Sequence, residues 1–160
     1  MIGRITEIIK ENIKFIVGVV AVIFVIALVI TIIMQRTKSP KAVLGDQEVK
    51  LEIAKSLEQK QTGLSRREKL EKESGMLFTF DEKGYYPFWM KDMRFSLDII
   101  FLNDKKIVTI YKNVNPPKGE ENPSTLYVPD EPANRVLEIN AGLSDEFGIK
   151  DGDTIEIENL

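Results

Sequence analysis

The stretch from Phe88 to Leu102, FWMKDMRFSLDIIFL, decides how the rest of the chain is read. Its aromatic and β-branched side chains make most of it read as strand. In an extended chain Leu97, Ile99 and Phe101 point one way, and Asp98, Ile100 and Leu102 the other. Both faces are apolar, so Asp98 falls where an unpaired carboxylate is expensive. Two readings follow. Asp98 is a structural carboxylate held by backbone N–H groups or a cation, or it is a ligand-binding or acid–base group tuned by burial. Lys91 is the first partner to consider, and Arg94 or Arg135 the second.

Composition narrows the chemistry. The 160 residues are 43% hydrophobic and 29% charged, which suits one globular domain plus an appendage. Cysteine and histidine are absent. That removes disulfides, Cys/His zinc sites, thiol nucleophiles and any Ser-His or Cys-His machinery. No cofactor and no metal site is expected.

Residues 15–34, FIVGVVAVIFVIALVITIIM, carry no charge. At a rise of about 1.5 Å per residue they span roughly 30 Å, one bilayer core. A signal peptide has a shorter apolar region, followed by a small-x-small site. Here TIIMQRTKSP follows, so the segment is read as an uncleaved single-pass anchor. Arg4, Lys10 and Lys14 precede it and Arg36, Lys38 and Lys41 follow, so charge alone does not orient it. Residues 1–14 are too short for a domain. Their Ile2, Ile5, Ile8 and Ile9 have helical spacing, which would extend the anchor helix or lie along the membrane surface.

Residues 35–47, with Ser39-Pro40 and Gly45, read as a tether, and residues 48–160 as a β-rich soluble domain. Of the 22 Lys and Arg, 6 lie at or before Lys41; of the 25 Asp and Glu, 2 do. The remainder holds 16 and 23, a net charge of −7. Such a balance argues against nucleic acid. Strand signals recur in EVKLEIAK, GMLFTF, YPFWM, LDIIFL, KIVTIYK, NRVLEIN and DTIEIEN. Asn103-Asp104 and KDGD read as turns. Short helices are expected at 56–62, ended by Gly63, and at 144–147, ended by Gly148. NVNPPKGEENPST, at 113–125, reads as a long proline-rich loop. The expected fold is mostly β (α+β), a compact β-sandwich or small barrel with short peripheral helices, preceded by one transmembrane helix.

Five blocks in order carry a family resemblance: Gly63-Leu64, Gly75–Phe80 (GMLFTF), Phe88–Leu102, Tyr127–Gly142 (YVPDEPANRVLEINAG), and Gly148-Ile149 with Gly152-Asp153. Together they resemble the domain-of-unknown-function 192 family over about residues 48–158. The resemblance implies a compact β-rich fold and a protein exported from the cytoplasm or tethered outside it. It implies no activity. The family pattern commonly has Asn-Thr after the WMK lysine, where this chain has Asp92-Met93.

The candidate cluster is Trp89, Lys91, Asp98, Tyr127 and Glu138. In an extended WMKDM, Lys91 shares a face with Trp89 and Met93; it either lies along Trp89 or pairs with Asp98. Trp89, Tyr85, Tyr86, Phe88 and Tyr127 are core aromatics or a platform for sugar or peptide. Glu138 alternates with Leu137 and Ile139 and faces either solvent or the interior that holds Asp98. Three functions fit. The first is a non-catalytic, membrane-tethered binding or interaction module, outside the cytoplasm, for a protein or glycan ligand. The second is a glycan hydrolase using Asp98 with Glu138 or Lys91, which needs carboxyls about 5–5.5 or 6.5–9.5 Å apart. The third is a structural envelope component.

Overall fold

A computed structural model describes residues 2–36, 38–117 and 125–160, with side chains in the first helix described from residue 12 to 34. The chain divides into two compact units, residues 1–38 and 39–160. The first is a single helix, α1 (Ile2–Arg36), so the expected N-terminal segment and anchor form one continuous element. Its stretch Asn12–Met34 is apolar enough to cross a membrane. Thr31, its one hydroxyl-bearing side chain in that stretch, donates to the Ala27 carbonyl one turn back at 2.8 Å, so its hydroxyl is satisfied within the helix.

The second unit is a curled sheet, a half-barrel, with short helices. Its elements are β1 (Lys41–Leu44), β2 (Gln47–Ala54), α2 (Leu57–Thr62), β3 (Ser74–Gly84), β4 (Leu97–Asn103), β5 (Lys106–Val114), β6 (Ala133–Asn140), α3 (Leu143–Glu146) and β7 (Glu156–Glu158). The seven strands lie in the order β5-β4-β6-β3-β2-β1-β7. All neighbours are antiparallel except β2 and β3. A parallel pair needs a long crossover, and residues 55–73 supply it. They begin with α2, whose capping box is complete: Ser56 Oγ accepts from Gln59 N–H, and Gln59 Oε1 accepts from Ser56 N–H. At the far edges, Ile107 N–H donates to the Asp153 carbonyl at 2.8 Å and Ile155 N–H to Lys105 at 2.8 Å. The segment before β7 is thereby laced to β5, which holds the curl. Of the two expected forms, the single curled sheet is the one found, not two packed sheets.

The alternation in β4 sets two apolar clusters on opposite faces. Ile100 and Leu102 join Leu44, Leu51, Leu77, Leu137 and Ile139 on one face. Leu97, Ile99 and Phe101 join Met76, Phe78, Met90 and Val136 on the other.

Two local expectations need correction. The tether is shorter than 35–47, because KAVL forms β1, with Ala42 and Leu44 fully buried between β2 and β7. Its two-residue apolar alternation is too brief to stand out beside Pro40 and Gly45. YPFWM is no strand: only Phe88 makes a bridge, with Tyr127. Pro87 removes a donor, and Asp92 takes a left-handed φ of 57° that turns the chain. The Phe88–Leu102 stretch is therefore strand only from Leu97. The proline-rich loop falls partly on residues 118–124, outside the described residues.

Among the described residues every buried core side chain lies at Ala42 or later, so a chain of residues 39–160 holds that core. It is expected to melt in one cooperative transition with a β-type circular dichroism spectrum. A chain starting at Asp46 lacks β1, the only strand paired with β7 among the described residues, and is expected to melt well below it or aggregate. Equal melting temperatures would contradict the placement of β1.

Candidate functional site

Asp98 is buried and accepts three backbone hydrogen bonds. Asn113 N–H donates to Oδ1 at 2.8 Å, Gly142 N–H to Oδ1 at 3.1 Å and Ser144 N–H to Oδ2 at 2.8 Å. Two of these come from the start of α3. Gly142 turns the chain into it at φ 85°, a conformation that disfavours other residues. Lys91 is exposed in the loop 85–96, on the other side of the sheet from Asp98, and its ammonium lies 5.9 Å from the Trp89 ring centre. Arg94 pairs with Glu68, and Arg135 donates to the Asp104 carbonyl. Of the partners considered for Asp98, backbone N–H groups are the ones present, and none of the three cations is.

Register separates the two carboxylates. Asp98 stands opposite Ile139, and Glu138 opposite Ile99. Directly opposed residues share a face. Asp98 and Glu138 therefore point to opposite faces of the sheet, and no carboxyl pair of glycosidase type exists between them. Lys91 with Asp98 is excluded by the same placement.

Glu138 lies at the floor of a cavity of about 580 Å³. Two connections wall it, both crossing the same face of the sheet. One is the crossover 55–73, which contributes Lys60, Gly63, Leu64, Ser65 and Arg66. The other is the loop 85–96, which contributes Tyr86, Phe88, Trp89, Lys91, Asp92 and Met93. Phe78 and Phe80 of β3 complete the lining. The walls are joined by Arg66 N–H donating to the Asp92 carbonyl at 2.8 Å, with both residues in left-handed backbone. Phe88 packs edge-on against Phe78, centroids 4.9 Å apart, and Tyr86 stacks on Phe80 at 3.8 Å. Trp89 is 51% exposed at the mouth. Tyr127, half-buried, bridges to Phe88 and packs edge-on against Tyr111 at 5.1 Å, behind the cavity wall. Gly75 lets β3 approach β6 here: a Cβ would sit 2.8 Å from the Glu138 carbonyl.

Glu138 is 5% exposed and, among the described residues, its carboxyl has no hydrogen-bond or ion-pair partner. Burial alone pushes its pKa up to about 8. Burial therefore favours the protonated acid near neutral pH, a form with an O–H to donate.

Of the five candidate residues, the cavity brings together Trp89, Lys91 and Glu138. Tyr127 stands behind it and Asp98 lies on the opposite face. Phe78, Leu64, Lys60, Arg66 and Met93 escaped the sequence reading as site residues. The one signal available was Gly63-Leu64 directly after a capped short helix. Four of the five blocks that carry the family resemblance contribute to this lining; the fifth, around Gly148 to Asp153, lies at the laced edge.

Comparison with known proteins agrees on the fold. Residues 39–157 match the DUF192 family, described as Uncharacterized ACR. The chain belongs to this family. It is similar to a protein of unknown function from Novosphingobium aromaticivorans DSM 12444, at 33% identity and a TM-score of 0.66, covering 73% of this chain and 83% of that one. It is also similar to a proposed transcription regulator from Sinorhizobium meliloti 1021, at 30% identity and a TM-score of 0.66, covering 76% and 93%. No functionally curated protein matches the chain.

Asp98→Asn replaces a charged acceptor of three N–H groups and is expected to cost about 2–4 kcal/mol of stability. Lys91→Met is expected to cost under about 0.5 kcal/mol, and the pair to be additive. Denaturant melts of both single variants and the double decide it; coupling above about 1 kcal/mol would restore Lys91 as a partner.

Glu138 yields a second prediction. Its folded pKa lies above the ordinary value of 4.5, so the folded state keeps the proton that the unfolded chain releases. Stability falls as pH rises from about 4.5 to 8, and the full penalty remains above that. Glu138→Gln is expected to leave the melting temperature nearly unchanged near pH 5 and to raise it by several degrees near pH 9. A pH-independent difference would show that Glu138 is not the group being titrated.

Proposed function

We propose that the domain is a non-catalytic binding module, held at a membrane by α1 on the side away from the cytoplasm, with the cavity over Glu138 as its binding site. The observation that carries this is the unpaired, buried carboxyl aimed into an aromatic cavity. A fold that only needed packing gains nothing from a desolvated acid there, and binding sites are where such cost is retained. The cavity volume falls within the range of small-molecule sites, and its lining sets the apolar side chains of Leu64, Phe78, Phe88 and Met93 beside polar and charged groups. Membrane tethering rests on the apolar stretch of α1, and the outer side on the family resemblance.

The chain has a single tryptophan, Trp89, at the mouth. Its emission therefore reports on the cavity alone. Titrating residues 39–160 with the neutral aromatic probe N-phenyl-1-naphthylamine is expected to quench Trp89 by energy transfer with saturation. Ser65→Phe, which places a ring in the lining, is expected to abolish it while the circular dichroism spectrum is kept. Undiminished binding in that variant would sink the site. For the side of the membrane, protease added to intact cells should remove the domain, and full protection until lysis would reverse the orientation.

A further inference from the structure

We propose that the cavity takes an anionic amphiphile: its aromatic or acyl body enters between Leu64, Phe78 and Phe88, and its negative group stays at the mouth against Lys60 and Lys91. The inference rests on the binding reading above and adds the chemistry of the occupant.

Charge carries it. The chain after Lys41 has a net charge of −7. The cavity reverses that sign, because its mouth bears Lys60, Arg66 and Lys91 against Asp92 alone. Arg66 is partly answered by Asp92, at 3.7 Å. Lys60 and Lys91 have no ion-pair partner among the described residues. Each is held over an aromatic ring instead, Lys60 at 4.6 Å from the centre of Phe80 and Lys91 at 5.9 Å from that of Trp89. Two ammonium groups thus sit without an ion-pair partner at the entrance of a cavity that Leu64, Phe78 and Phe88 line. A cationic ligand would have to pass them. Glu138 does not offset them near neutral pH, since burial favours its protonated form there. An anion beside an apolar body meets both features at once. It can be a free small molecule or the headgroup of a lipid, since the shared chemistry is the same.

The test uses two dyes with one ring system. N-phenyl-1-naphthylamine is neutral, and 1-anilinonaphthalene-8-sulfonate adds one sulfonate. On residues 39–160, read through Trp89, the sulfonate is expected to bind about tenfold tighter. Lys60→Gln with Lys91→Gln is expected to erase most of that factor while leaving the neutral dye within about twofold. If the double variant loses its fold by circular dichroism, Lys91→Gln alone, an exposed site, is expected to show the same sign at smaller size. Equal binding of both dyes, or a preference that survives the lysine changes, overturns the inference. Failure of both dyes to bind overturns the binding reading itself. Sedimentation with vesicles identifies the source. Pelleting with phosphatidylglycerol but not phosphatidylcholine points to a lipid anion, and remaining in solution with both, while the sulfonate binds, points to a free one. Equal pelleting with both lipids overturns the role of charge.

Discussion

Everything in the domain follows from a sheet whose central strands are apolar on both faces. β4 is buried along nearly its whole length, and β6, its neighbour, buries Leu137 and Ile139 on one side and Val136 on the other. Each face must be removed from water, since burial of apolar area is the main favourable term in folding. One face is closed by the curl of the sheet and by α3. The other is closed by two connections, 55–73 and 85–96. A loop carries its own backbone polar groups and cannot lie flush on a strand. The two connections meet at the Arg66–Asp92 hydrogen bond and leave the cavity between them.

The two buried carboxylates show opposite solutions to one electrostatic problem. Asp98 satisfies its charge locally, with N–H groups from β5 and the start of α3. It ties the edge hairpin to the helix and lies buried on the face away from the cavity. Glu138 has no such neighbours on its face and keeps its proton instead. Stability accounts for the first residue; the second is a cost to the fold wherever it ionises.

Much of this was legible in the sequence, though unevenly. The alternation of β4, the burial of Asp98, the hairpin after Asn103 and the capped helix before Gly63 are local, and short-range pattern reads them. The partners of Asp98 lie 15, 44 and 46 residues along the chain, beyond any local pattern. Whether Glu138 shares a face with Asp98 depends on the β4–β6 register, and a one-residue slip would reverse it. YPFWM imitates a strand because a loop that covers an apolar face must itself be apolar. KAVL hides because a four-residue strand between two others needs only two inward side chains.

The position of β1 bears on how the domain withstands pulling. The chain enters from Ser39 into a strand that is paired along both edges, by β2 and by β7. Tension along the tether is therefore applied to two hydrogen-bonded ladders in parallel, where an edge strand would offer one and peel bond by bond. The last strand in sequence thus acts as a clasp on the first, and the strand where the chain would be tugged is held along both edges.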